Sequence, residues 1–168
     1  MKQHFDRLLF DAHCHAQTAM ELRKSSLVSH FALMSSMESD WPAMRDLSRS
    51  CREQQHVVFG AGIHPWFAHK AAMGYEERLE AFLEENPTAF VGEIGLDKVA
   101  KTPETNTNEW QAQLDVFEAQ MRIAAKMKRV VSLHCVQVSE LFVKIAQVRF
   151  FFYFRCCCCC RLKGSCSI

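Results

Sequence analysis

The sequence predicts an α/β fold in which parallel strands alternate with helices, and three observations carry that reading. Apolar runs of strand length recur between segments of helical periodicity as far as about Val148, and such alternation joins parallel strands through right-handed crossovers, in an open doubly wound sheet or a (β/α) barrel. The polar residues with chemical potential, His13 and His15, His64, Glu93 and His134, all fall at the C-terminal ends of predicted strands. In a barrel those ends meet around one mouth, where metal and catalytic groups collect. No glycine-rich phosphate fingerprint opens a helix, since Gly60-Ala61-Gly62 leads to His64-Pro65 instead, which weighs against nucleotide binding and favours the barrel.

The elements follow in order. Leu8 to Phe10 is an apolar run that feeds into Asp11-Ala12-His13-Cys14-His15, the first strand. Gln17 to Ser26 is polar and reads as a loop or short helix. His30 to Ser35 is the second strand. Asp40 is placed to cap a helix from Trp41 to about Gln54, with Pro42 tolerated in its first turn. A third strand starts at Val57-Val58-Phe59 and runs to Trp66, ended by Pro65. Glu76 to Glu85 is amphipathic, with Leu79, Phe82 and Leu83 on its apolar stripe and Asn86-Pro87 closing it. Ala89 to Gly95 is the fourth strand, and Lys98 to Asn108 a loop. Trp110 to Met127 is the clearest helix, with Leu114, Phe117, Met121, Ala124 and Ala125 at helical spacing. Val130 to His134 is the fifth strand, followed by a helix-like segment from Ser139 to Val148.

Composition bounds the function. At 168 residues, 49% of them hydrophobic, the chain can bury one substantial core and reads as a single soluble domain. The net charge of +1 hides an asymmetry, because Arg149, Arg155, Arg161 and Lys163 lie in a tail without acidic residues, leaving 16 basic against 19 acidic residues up to Gln147. No broad basic surface for gripping a nucleic-acid backbone follows, so phosphate chemistry would have to be local and metal-borne. Neither a signal peptide nor a membrane span is evident, and no membrane partner is expected. Five of the nine cysteines form the run Cys156 to Cys160, and Cys14, Cys51 and Cys135 are scattered, which is no disulfide framework. A cytoplasmic or nuclear setting with free thiols is expected. The oligomeric state is not legible.

From Val148 the pattern breaks into a phenylalanine-rich run and adjacent cysteines with no periodicity. The expected organisation is therefore a domain over residues 1–147 and an aberrant tail over 148–168. Coding sense ending at Gln147, through a retained intron or a frameshift, accounts for such a tail, and a transcript read across the junction tests it. A palmitoylated or metal-binding cysteine cluster is the functional alternative, though adjacent cysteines chelate one ion with poor geometry.

His13 and His15 share strand parity, so their rings converge and can ligate one transition metal. Asp11 has the same parity and can steady a ring nitrogen from behind. Glu93, set in Val91-Gly92-Glu93-Ile94-Gly95-Leu96-Asp97, is a carboxylate between glycines, able to bridge two cations, with the missing side chains leaving room for metals and water. His134 reads equally as a satisfied core histidine, and His64, fixed in direction by Pro65, as an anion contact or a loop hydrogen bond. Singly, each has a bland structural reading; together they converge on one predicted mouth.

Asp11 to His15, Gly62 to Pro65, Gly92 to Asp97, the spaced set Gln113, Phe117, Gln120 and Ala124, and Val131 to Cys135 together resemble the TatD family of metal-dependent hydrolases and deoxyribonucleases, in order and spacing from about Leu8 to Gln147. His134-Cys135-Val136 is similar to the Scn1-like branch. The resemblance implies a TIM-like (β/α) barrel, incomplete at about five of eight βα units. It implies two divalent ions, Mg, Mn or Zn, with His13 and His15 on one, His134 on the other and Glu93 bridging. His64 would lie near the substrate phosphate, Asp11 would orient, and the reaction would be two-metal hydrolysis of DNA phosphodiesters. The family also uses a later histidine and aspartate, whereas His134 and Asp115 are the last of their kinds in this chain. An inactive truncated fragment, or a weak metal-binding or interaction module, is thus the alternative expectation. A neighbouring amidohydrolase shares the His-x-His start, but no lysine stands in the bridging position that Glu93 occupies.

Overall fold

The computed structural model describes residues 9–15, 28–50 and 55–138. The polar segment 17–26, the helix expected over 139–148 and the tail from Val148 lie outside the described residues. Five strands form one sheet: β1 (Leu9–Cys14), β2 (Val28–Met34), β3 (His56–Ala61), β4 (Phe90–Asp97) and β5 (Val131–Val136). Every neighbouring pair is parallel and the spatial order equals the chain order. Helices α1 (Trp41–Arg49), α2 (Tyr75–Glu85) and α3 (Trp110–Lys126) occupy the crossovers from β2 onward, as parallel pairing requires.

The sheet is curled. Three strand spacings would hold β1 and β4 about 14 Å apart in a flat sheet, yet His13 of β1 reaches Glu93 of β4 at 3.1 Å. The chain is thus a half-barrel of five strands with helices outside, a partial TIM-like barrel. Phe31, Leu33, Val91, Ile94 and Leu96 on the strands and Leu79, Leu83, Phe117 and Met121 on the helices are fully buried in one core.

Local departures from the expected elements have physical causes. Helix α1 ends at Arg49, with Ser50 closing the last turn through bonds to Asp46 and Leu47; residues 51–54, the rest of the expected helix, lie outside the described residues. Asp40 sits at the cap position, but its carboxylate accepts the backbone N–H groups of Ser36 and Met37, both at 2.9 Å, and so secures the preceding 3-10 turn, Glu38–Asp40. β3 stops at Ala61. Pro65, whose fixed φ and missing N–H suit a first helical turn, heads a 3-10 helix, Pro65–Lys70, where strand was expected. β4 runs two residues further than expected, to Asp97.

The glycines of β4 make room for protein rather than for ions and water. A Cβ on Gly95 would lie 1.9 Å from the carbonyl oxygen of His134, and one on Gly92 would lie 2.7 Å from the Ser132 Cβ. Their missing side chains let β5 approach closely, which brings His134 beside Glu93.

Helix α3 fixes two strand ends through its buried glutamines. Gln113 accepts the Asp97 N–H at 2.8 Å and donates to the Asp97 carbonyl at 3.2 Å. Gln120 accepts the Ile63 N–H at 2.7 Å and donates to the Ile63 carbonyl at 3.1 Å. Each amide satisfies both backbone groups of one residue beside the barrel mouth.

Candidate metal centre

Strand alternation aims the first ligands. Cys14 turns into the core, donating to the Ala32 carbonyl at 3.3 Å, while His13 and His15 on either side of it face the mouth with ring centroids 5.2 Å apart. Both rings address one oxygen of the buried Glu93, His13 Nε2 at 3.1 Å and His15 Nε2 at 3.8 Å from Oε2. The other oxygen, Oε1, lies 3.1 Å from His134 Nδ1. Burial would raise the Glu93 pKa, but the bonds to His13 and His134 outweigh it and hold the carboxyl well below the usual range. The site therefore keeps a carboxylate with each oxygen turned to a different imidazole.

His64 differs chemically from the others. Its Nδ1 accepts the Trp66 backbone N–H at 3.2 Å, so a neutral ring carries its proton on Nε2. Burial above all, then the neighbouring His134, push its pKa down to about 4 against the attraction of Glu93. That leaves a neutral donor, Nε2–H, 3.1 Å from His134 Nδ1. Ligating a metal through Nε2 would need both nitrogens deprotonated, so His64 is a donor toward the mouth rather than a ligand.

His134 places its Nε2 3.1 Å from Asp97 Oδ2, and the proton on that nitrogen belongs to this bond. Nδ1 then meets a donor, His64, on one side and a carboxylate oxygen, Glu93 Oε1, on the other. A lone pair at Nδ1 suits His64 and repels Oε1; a proton does the reverse. A cation between Nδ1 and Oε1 would relieve the second conflict, as would a proton. Accordingly, although burial lowers the His134 pKa, bonds to Glu93 and Asp97 raise it overall.

Two groups of ligand atoms, His13 with His15 and Glu93, and His64 with Glu93 and His134, each lie within 4.8 Å of one another. This donor set fits divalent metals: imidazole and carboxylate, an unshared charge demand at Nδ1 and a buried anion common to both groups. Asp97 completes the pattern of a carboxylate behind a ligating histidine. It also accepts Trp66 Nε1–H at 2.8 Å and the backbone N–H groups of Val99 and Ala100, each at 3.0 Å.

Of the expected site residues, His13, His15, His64, Glu93 and His134 come together. Asp11 does not orient a ring. Its carboxylate accepts the backbone N–H of His13 at 3.0 Å, and the His13 Nδ1 has no hydrogen-bond partner among the described residues. An Asp side chain reaching two residues along its own strand meets main chain first. Asp97 and Trp66 were missed by sequence reasoning. Asp97 carried a usable signal, since it shares strand parity with Glu93 and Gly95.

A family model described as TatD related DNase matches residues 10–151. The Cut9-interacting protein scn1 of Schizosaccharomyces pombe is 27% identical over 191 residues, covering 79% of this chain and 56% of that protein. The 3'-5' ssDNA/RNA exonuclease TatD of Pantoea ananatis is 30% identical over 94 residues, covering 56% of this chain and 34% of that protein. This chain therefore spans about half the length of the first relative and a third of the second. A TatD homologue from Escherichia coli, YJJV, has the same fold, with a TM-score of 0.69 at 20% identity over 84% of this chain and 56% of that one.

Proposed function

The chain belongs to the TatD-related DNase family, and from that premise we propose that its site hydrolyses nucleic-acid phosphodiester bonds with two divalent metal ions, Mg, Mn or Zn, shared through Glu93. The observation that carries this reading is the division of Glu93, with Oε2 turned to His13 and His15 and Oε1 turned to His134. His13, His15 and Glu93 would hold one ion, and Glu93 with His134 the other. When bound, such ions supply Lewis acidity, bringing hydroxide within reach near neutral pH and offsetting charge on the phosphate.

The chain's own groups do the rest. His64 presents Nε2–H to a phosphate oxygen and stays neutral across the working range, because burial holds its pKa near 4. Asp97 holds the His134 tautomer and aims Nδ1. Asp11 fixes the backbone from which His13 projects. DNA is the expected substrate, and the name of the Pantoea ananatis relative, a 3'-5' ssDNA/RNA exonuclease, supports a single-stranded one. No helix among the described residues is long and apolar enough to cross a membrane. A cytoplasmic or nuclear setting belongs to the same reading.

A second reading, cation binding without turnover, is favoured by one observation. With His64 retaining its proton, the second group among the described residues offers only Glu93 and His134 as ligands. Metal-stripped protein reloaded with Mn(II) and given a labelled single-stranded oligonucleotide separates the two. The proposal predicts cleavage that chelator abolishes and Glu93→Gln reduces by at least two orders of magnitude. Cleavage surviving either treatment would sink it, and metal uptake without cleavage would establish the second reading.

A further inference from the structure

Trp66 is 53% exposed, yet it is anchored. Its indole N–H is spent on Asp97 at 2.8 Å and its backbone N–H on His64 at 3.2 Å. The ring stands edge-on to His64, with centroids 5.2 Å apart and planes at 88°, and to His134, at 6.3 Å and 74°. Indole has one donor and no acceptor. With that donor used on a buried carboxylate, what Trp66 offers outward is a rigid aromatic surface within one ring's reach of the proposed phosphate donor. Lys101 and Glu109 line the shallow depression beside it, together with Pro65 and Thr102, and Lys98 is exposed where β4 ends. An exposed, anchored aromatic face with a lysine beside it suits a base and its backbone, since stacking accepts every base and a lysine can neutralise phosphate.

We infer that Trp66 is the stacking platform for the nucleobase adjoining the phosphate at His64, so that the site takes single-stranded nucleic acid with an unstacked base. This rests on the nucleic-acid reading above and narrows it. Bases inside a duplex are already stacked on their neighbours and cannot reach the indole without extrusion.

The test uses a phosphorothioate-linked single-stranded hexanucleotide, which resists hydrolysis, and the same strand with abasic sites, both with Mn(II). Unaltered protein binds the intact strand about tenfold more tightly than the abasic one, and the intact strand quenches tryptophan fluorescence. Trp66→Ala removes the preference; Trp66→Phe, which keeps a π-face and loses the N–H, retains most of it while the quench disappears. Equal binding of both strands by unaltered protein overturns the inference, as does a Trp66→Phe loss as large as that of Trp66→Ala, which would make the ring only a partner for Asp97. Failure of unaltered protein to bind either strand overturns this inference and the nucleic-acid reading with it; hexanucleotide binding without base preference overturns this inference alone.

Discussion

At the residue scale the site is a problem of proton placement. Hydrogen bonding to Glu93 raises the His13 pKa against the effect of burial, and bonds to Glu93 and Asp97 do the same for His134. Both rings thus keep protons to higher pH than an ordinary histidine in the metal-free protein, and a ligating imidazole must give its proton up. Metal loading near neutrality therefore releases protons, and affinity weakens as pH falls below the raised pKa values and levels off above them. Calorimetry in two buffers of different ionisation enthalpy should give different apparent heats; identical heats would contradict the assignment. Asp97→Asn supplies the companion test. Loss of the carboxylate behind His134 should weaken metal binding about 10- to 100-fold, with fold retained by far-ultraviolet dichroism. The histidines and Glu93 were legible in the sequence because their residue types and strand-end positions announce chemistry. Asp97 was legible only in its strand parity with Glu93; its role was not, because that depends on β4 extending to residue 97 and on a tautomer visible only beside His134.

At the scale of elements, aiming is done by α3. Its boundaries were nearly legible from apolar spacing, Trp110 to Met127 expected against Trp110–Lys126 observed. The task of its polar residues was not. Gln120 bonds a backbone 57 positions away, and nothing in a helical repeat indicates which loop will dock against an inward amide. Gln120→Ala strands two buried backbone groups of Ile63 next to His64, at a cost of about 2–4 kcal/mol in unfolding free energy. Denaturant titration checks it, and a change below about 0.5 kcal/mol, the usual range for surface substitutions, would show that the loop holds itself. The turn at Pro65 teaches the same lesson in reverse. Pro65 opens a helix rather than ending a strand, and that helix sets the His64 tautomer through the Trp66 N–H.

For the whole molecule, curvature is what turns a list of strand ends into a site. Alternation predicts parallel strands and leaves an open sheet or a barrel; the polar residues at the strand ends and the family resemblance predict the barrel. The degree of curl arises from twist and from interior packing among residues distant in the chain. Here it carries His13 across three strand spacings to Glu93, and the bare backbone of Gly95 lets His134 close from the other side. The outcome is one buried carboxylate serving two groups of imidazoles. Electron paramagnetic resonance during Mn(II) titration tests that sharing most directly. The account predicts a spin-coupled Mn(II) pair in unaltered protein, replaced in Glu93→Gln by isolated ions or none; isolated ions alone in unaltered protein at saturation, or a coupled pair that survives Glu93→Gln, would contradict it.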